Sequence, residues 1–494
     1  MTEDSTKPLE LSREGMRDLG YKVVDLLVEH FATLHEQPVN GWASRADLEA
    51  RFREPVPEKP GDPAAVLARL ERDLLPFFVR INHPRFFAFV PSPSNFVGAM
   101  ADALVAGLNP LASNWLVCSG PAEIELVTVD WLCRACGLPA ESGGLFVSGG
   151  SVANLTALGA ARHARLEARG LGSENAVLYF SDQTHSSVER GLAVLGFRPD
   201  QLRKIPADGH FRLPLQPLEA AIAADRAAGR TPFCVIANAG TTNTGAVDPL
   251  PELAALCRRE DLWLHADGAY GAAAVFCERG RRELAGIERV DSLALDPHKW
   301  LFQPFECGCV LVRDRRLLSA AFAVHPEYLQ DVHRDEEAIN FCDHGIQLTR
   351  GFRALKLWLT LQVFGLEALR TAVDRGFTQA ETAEALLRAG GRWEIITPAA
   401  MGMVSFRFCP PGPPGPPGLP GLTAERLDAL QIDIAARLRA ESWAFVTSTR
   451  LAGRNALRLC TINPRTTEDD LRGTIERMAA IGEDLAANAV SLAP

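Results

Sequence analysis

In its middle third the chain alternates short, continuously apolar runs with longer segments whose apolar residues recur at helical spacing. A strand that is apolar on both faces must be buried twice, and helices packed on each side of a largely parallel sheet meet that demand. The runs are 145–147, 176–180, 233–237, 262–265, 292–295 and 309–312, and helical patterns lie between several of them at 152–168, 218–228 and 250–260. The fold class predicted is α/β with a mostly parallel central sheet.

The flanks differ. Leu19, Val23, Leu27 and Phe31 form one helical stripe, with Arg17, Asp18, Asp25 and Glu29 elsewhere, so an amphipathic helix that needs a partner is expected over 13–31. Pro55, Pro57, Pro60, Gly61 and Pro63 mark an irregular connector, followed by a helix over about 63–80. Past Thr349 a helical stretch over 352–370 leads into a region that reads as a smaller α/β domain. The expected division is 1–90, an N-terminal helical dimerisation segment, 91–355, a large domain, and 356–494, a small C-terminal domain. Within 410–422, Gly412, Gly415, Gly418 and Gly421 recur every third residue among prolines. Four triplets are too few for a collagen helix, so an extended or disordered surface loop is expected.

Composition removes several function classes. With 51 Lys plus Arg against 61 Asp plus Glu in 494 residues, a net charge of −10 and no long basic run, nothing attracts nucleic acid or an anionic membrane. No apolar run approaches the roughly 20 residues that span a bilayer, and residues 1–11 lack the basic and apolar regions of a secretion signal. The 11 Cys read as scattered, without a Cys-x-x-Cys pair or matched His spacings, which argues against a disulfide framework or structural zinc and for a reducing, cytoplasmic setting. No metal is expected.

Lysine is confined to Lys7, Lys22, Lys59, Lys204, Lys299 and Lys356, and Arg supplies every other formal positive charge. An amine can lose its proton and attack a carbonyl, which a guanidinium cannot usefully do, so each lysine merits a question.

Reactive side chains fall directly after the strand candidates: Gly149, Gly150 and Ser151, then Asp182 and His185, Thr241 and Thr242, Asp267, and finally Asp296, His298 and Lys299. Singly these read as a tight turn with an N-cap, capping aspartates, and surface histidine and lysine. The carboxyl ends of parallel strands line the ligand crevice, however, so the groups are expected to converge. Together they suit a cofactor with an aldehyde, a phosphate and a ring nitrogen. The N–H groups of Gly150 and Ser151 at a helix start form an anion site, Lys299 supplies an amine for the aldehyde, Asp267 can hold a ring nitrogen protonated, and His185 can lie against the ring.

This constellation resembles the pyridoxal-phosphate group II amino-acid decarboxylases, the family of aromatic-L-amino-acid decarboxylase and its glutamate and cysteine-sulfinate relatives. The resemblance runs from about Leu19 into the C-terminal region. It is carried by His83-Pro-Arg-Phe-Phe87, Ser148-Gly-Gly-Ser151, Asp182-Gln-Thr-His-Ser-Ser-Val-Glu189, Gly240-Thr-Thr242 through Asp248-Pro249, His265-Ala-Asp267 and Asp296-Pro-His-Lys-Trp300. It implies the fold-type-I architecture of pyridoxal-phosphate enzymes, aspartate-aminotransferase-like, and pyridoxal 5′-phosphate as cofactor. It also implies loss of the α-carboxylate from an L-amino acid, with an aromatic substrate expected, in a homodimer whose active site lies at the interface.

The resemblance assigns Lys299 as the lysine that bonds the cofactor, Asp267 as the partner of the ring nitrogen and His185 as the stacked residue, with Ala269 against the opposite ring face. Gly150, Ser151 and His298 fall at the phosphate site with Asp296 beside them, and Thr242 falls close to the cofactor and the stacked histidine. Phe89, Val90, Pro91 and Ser92 match a segment that shapes the substrate pocket, with Phe86 and Phe87 equally readable as core. Ser113 stands where aromatic decarboxylases carry a bulky Phe.

Two departures matter. Val152 replaces a common Glu after the Gly-Gly-Ser turn, a local change. Phe341 falls where the family carries a loop tyrosine associated with protonating the carbanionic intermediate, and it has no hydroxyl to act as an acid. Either another acid (His185, His333, His344 or water) completes decarboxylation, or oxygen intercepts the reaction to give an aldehyde, as in aldehyde synthases. Further alternatives are an aminotransferase or other lyase on the same fold, a hydrolase using Ser151 with His185, and a non-catalytic binding protein.

Overall fold

The computed structural model describes residues 9–335, 338–409 and 423–491; the proline-glycine stretch 410–422 lies outside them. Its larger sheet has seven strands: β1 (Gly143–Val147), β2 (Ala176–Ser181), β3 (Leu202–Ile205), β4 (Thr231–Asn238), β5 (Trp263–Asp267), β6 (Ser292–Leu295) and β7 (Gly308–Val312). They lie in the order β1-β7-β6-β5-β4-β2-β3. All are mutually parallel except β7, which runs against both its neighbours.

The expected α/β class and mostly parallel sheet are borne out, and β4 shows why the apolar runs are continuous. Val235 and Ala237 enter the core on one face while Cys234 and Ile236 enter that on the other, so both strand faces are buried. Six of the seven strands were legible in this way. The seventh, β3, is an edge strand whose Arg203 and Lys204 pair with Asp225 and Glu189, and this charge hides it from an apolar pattern.

Four antiparallel strands, β8 (Trp393–Ala400), β9 (Met403–Phe408), β10 (Thr447–Leu451) and β11 (Arg454–Cys460), form a second sheet in the order β10-β11-β9-β8. Phe406, Phe408, Leu457 and Leu459 bury against Ile434 and Leu438 of helix Ala424–Ala440 and Met478 of helix Glu468–Ser491. The helix predicted over 352–370 runs further, over Ala354–Gly390. It is broken at Gly365, whose φ of 75° is readily open to glycine, and it joins the two sheets.

His83-Pro-Arg-Phe-Phe87 ties the N-terminal region to the smaller sheet. Phe87 N–H donates to Phe445 O at 2.9 Å, and Arg85 pairs with Asp470 at 3.3 Å. Phe86 and Phe87 are 3% and 0% exposed, which makes them core. Helix Arg13–Ala32 matches the predicted amphipathic helix, yet it contains no buried residue. Cys133 and Cys136 do form a Cys-x-x-Cys pair, which corrects the reading of the cysteines as scattered without one. Both are free and buried, and burial pushes their thiols up, that of Cys133 to about 12, which makes them poor nucleophiles.

Candidate active site

The carboxyl ends of β1, β4, β5 and β6 open on a cavity of about 300 Å³. Gly150, Ser151, His185, Thr242, Asp267, Ala269, Asp296, His298, Lys299 and Val90 all line it. Residues far apart in sequence meet here because all but Val90 stand at a strand end or in the segment that follows.

At one end is the start of helix Gly150–Arg165, which no side chain caps. Its first N–H groups are therefore open to an anion. Gly150 is required by close approach: a Cβ there would lie 2.9 Å from both Ala269 Cβ and Asp296 Oδ2. His298 Nδ1 accepts from Cys307 N–H at 3.1 Å, which leaves Nε2 as the protonated nitrogen in the neutral ring. Burial lowers the His298 pKa to about 4, so that ring is a neutral donor near pH 7.

Lys299 Nζ lies 2.9 Å from Asp296 Oδ2, and His298 Nε2 lies 3.5 Å from the same oxygen. The other oxygen, Oδ1, is buried without a partner, a costly arrangement that a polar ligand group would relieve. Asp267 Oδ1 accepts from Ala269 N–H at 3.1 Å, and Oδ2 accepts from Asn154 Nδ2 at 3.0 Å. Its carboxylate is thereby fixed on the cavity wall. Burial lowers the pKa of His185; Asp267 and Asp296 oppose that shift, while Lys299 and Arg190 reinforce it.

Residues of the second sheet and the turn beside it brace the loops that line the cavity. Arg458 on β11 donates to Thr242 O, and Tyr270 Oη donates to Met401 O at 3.1 Å. Lys356 is 3% exposed; its Nζ reaches Asp102 at 2.8 Å and the carbonyls of Pro304, Phe305 and Glu306 at 3.1–3.3 Å. It holds the loop that brings Glu306 to the cavity wall.

Other expected residues stand elsewhere. Phe341 is 1% exposed, packed in an apolar cluster with Leu145 and Val310 beneath the Arg350 guanidinium, 5.0 Å from its ring. It does not line the cavity. Ser113 is buried because its Oγ accepts from Arg350 N–H at 3.2 Å and its carbonyl accepts from Cys342 N–H at 2.8 Å. Phe89 is 59% exposed, Pro91 and Ser92 are buried, and only Val90 of that segment lines the cavity. A segment match carried no information about which side chains of this chain would face inward.

Asn154, Ser187, Asn238, Tyr270 and Glu306 belong at or next to the site and were not singled out from sequence. A signal existed for some of them. Asn154 is a polar residue three positions after Ser151 in an alanine-rich helix. His325, His333 and Asp343 bring possible cation ligands within 4.8 Å of one another, on a loop outside the cavity.

The uncapped helix start, the orphaned Asp296 oxygen and an amine facing a fixed carboxylate fit pyridoxal phosphate. The comparisons agree. The pyridoxal-dependent decarboxylase conserved domain matches residues 46–409. The chain is 45% identical over 478 residues to an aromatic-L-amino-acid decarboxylase of Bacillus atrophaeus, covering 97% of each. Among solved structures it resembles Oryza sativa TDC with PLP and tryptamine, with TM-score 0.90, 28% identity and coverage of 97% of this chain and 99% of that one. It also resembles Rhodiola rosea 4-hydroxyphenylacetaldehyde synthase, with TM-score 0.87, 26% identity and coverage of 97% and 100%. By the extent of the domain match and the identity to the Bacillus enzyme, the chain belongs to the pyridoxal-dependent decarboxylase family.

Proposed function

We propose that this enzyme removes the α-carboxylate of an aromatic L-amino acid, releasing the amine and carbon dioxide, as a cytoplasmic homodimer. The observation that carries the reading is the meeting of Lys299, Asp267, His185 and an uncapped helix start in one cavity. Pyridoxal phosphate, when bound, supplies the electron sink that accepts the pair left by the departing carboxylate. The chain supplies the rest. With it bound, the Gly150 and Ser151 N–H groups and neutral His298 would hold the phosphate, Lys299 would hold the aldehyde end, and Asp267 would keep the ring nitrogen protonated.

The aromatic assignment rests on the lining as well as on the relatives. Lys299 is the only lysine or arginine among the lining residues, so a second, acidic carboxylate would find no cationic anchor once Lys299 is engaged. Phe341 gives the aldehyde branch no support within the subunit, since its ring is packed away from the cavity. Dimerisation is supported by helix Arg13–Ala32, which exposes Met16, Tyr21, Val23 and Val28 and has no fully buried residue on its own chain. The cytoplasmic setting is supported by 11 free thiols. Among the described residues no helix is long and apolar enough to cross a membrane. The division 1–90, 91–355 and 356–494 is the one we propose, the first part serving the subunit contact.

Aerobic incubation of the cofactor-loaded protein with L-tryptophan, L-tyrosine, L-phenylalanine, L-DOPA and L-glutamate, with Lys299→Ala as control, tests the reading. Amine and carbon dioxide from an aromatic substrate, lost in the variant, are expected. Aldehyde with peroxide would replace this reading by the oxidative branch, and turnover of glutamate alone would overturn the substrate class.

A further inference from the structure

Behind the cavity wall runs a chain of hydrogen bonds with a definite polarity. Trp263 Nε1 donates to Ser292 Oγ at 2.8 Å, and Ser292 Oγ lies 2.9 Å from His265 Nδ1. His265 Nε2 lies 2.9 Å from Asn154 Oδ1. Asn154 Nδ2 then donates twice, to Asp267 Oδ2 at 3.0 Å and to Ser187 Oγ at 3.1 Å. Ser187 Oγ in turn lies 2.8 Å from His185 Nδ1.

Both ends fix the direction. An indole N–H can only donate and a carboxylate can only accept. Asp267 therefore requires the Nδ2 side of the Asn154 amide, because the flipped amide would set a carbonyl oxygen against a carboxylate. That orientation leaves Oδ1 toward His265, which must carry its proton on Nε2. Its Nδ1 then accepts from Ser292, whose oxygen already takes the Trp263 proton. Burial lowers the His265 pKa to about 4, so it offers one proton rather than two. Asn154, His265, Ser292 and Ser187 are each no more than 3% exposed, so water does not compete.

The same logic reaches the stacking residue. His185 Nδ1 receives Ser187 N–H at 3.3 Å and is therefore an acceptor, so the Ser187 hydroxyl 2.8 Å away, its oxygen already taking the Asn154 proton, donates to it as well. In neutral His185 the ring proton is then confined to Nε2. We propose that Asn154 is a positioning residue that couples the two cofactor-facing groups, one amide orienting the Asp267 carboxylate and, through Ser187, setting the His185 tautomer. Its functional consequence rests on the cofactor reading above; the tautomer itself does not.

The two parts separate by experiment. The full-length protein, with ¹⁵N-labelled histidine, is observed with and without pyridoxal phosphate, and the His185 signals are assigned by their loss in His185→Gln. A pyridine-type Nδ1 and a pyrrole-type Nε2 are expected. Ser187→Ala, which removes the hydroxyl donor and leaves only the longer backbone N–H bond, should move both signals toward a tautomer average. Asn154→Leu should do the same, weaken pyridoxal-phosphate binding by roughly tenfold or more and lower kcat by a similar factor, with KM changing less than about threefold. Unchanged His185 signals in both variants, or a pyrrole-type Nδ1 in the parent, overturn the proposal. If Asn154→Leu does not fold, Ser187→Ala decides it by the same signals. Failure of the parent to bind pyridoxal phosphate would overturn the cofactor reading while leaving the tautomer result to stand for or against the coupling.

Discussion

At the scale of single residues, the cavity is built from groups whose protonation is decided by burial and hydrogen bonding. His298 and His185 are neutral rings with their protons on Nε2, so neither is a ready cation near pH 7. The main permanent electrostatic pair is Lys299 with Asp296, and Asp267 stands apart with its own two donors. Asp267→Asn replaces an acceptor by an amide that cannot stabilise a proton on a ring nitrogen. We expect kcat to fall by about 10² to 10³-fold, in the range found for losing one preorganised electrostatic group, with the melting temperature of the cofactor-free protein little changed. Steady-state kinetics beside thermal melts check this, and a fall of less than threefold would remove Asp267 from the assigned role.

At the scale of elements, strand ends and the turns after them decide what meets what. The reactive residues were legible because a parallel sheet places its carboxyl ends in one crevice, and an apolar run followed by a polar residue marks such an end. His265 reads from the sequence only as part of the His265-Ala-Asp267 motif, with no role of its own, although its two-residue offset from Asp267 puts both on one strand face. Ser113 and Phe341 had no local signal, since their surroundings are set by Arg350. That guanidinium, 2% exposed, donates to Ala112 O and Phe146 O and pairs with buried Glu125 at 2.5 Å. Glu125 also accepts from Phe146 N–H on β1 at 2.8 Å, so one ion pair fastens the loop after Phe341 to the sheet. Arg350→Ala strands a buried carboxylate and should destabilise the fold by about 3 to 5 kcal/mol. The joint replacement Glu125→Met with Arg350→Met should recover most of that, as read by urea denaturation. Equal losses in the single and joint variants would show that charge burial is not the cause.

At the scale of the whole molecule, buried imidazoles tie stability to pH. Burial lowers His83, His265 and His298 to about 4, whereas in an unfolded chain histidine titrates near 6.5. The unfolded chain therefore takes up protons first. Stability is fully present above pH 6.5 and falls as pH drops toward 4, by up to about 1.4 kcal/mol per pH unit for each ring. Asp248 opposes this in part: burial raises it to about 6, so its contribution is lost as pH rises from about 4 through 6. The net expectation is a melting temperature that declines between pH 6.5 and 5. A flat profile across that interval would mean the rings are solvated.

Helix Arg13–Ala32 has a consequence beyond the subunit contact. A twenty-residue helix with no fully buried residue, anchored to its own chain at its C-terminal end by Phe31 against Phe96 and Arg465, is only marginally stable in water, because nucleation is costly and packing usually supplies the balance. In the dimer proposed above, the helix would take its remaining packing from a second copy, so local order over residues 13–32 would become a function of concentration. Amide hydrogen exchange over residues 13–32 should slow as protein concentration rises through the dimer dissociation constant, while exchange in β4 and β5 stays constant. A freshly synthesised subunit would thus carry a fraying end until it meets its partner, and that end would be the first place a protease could cut.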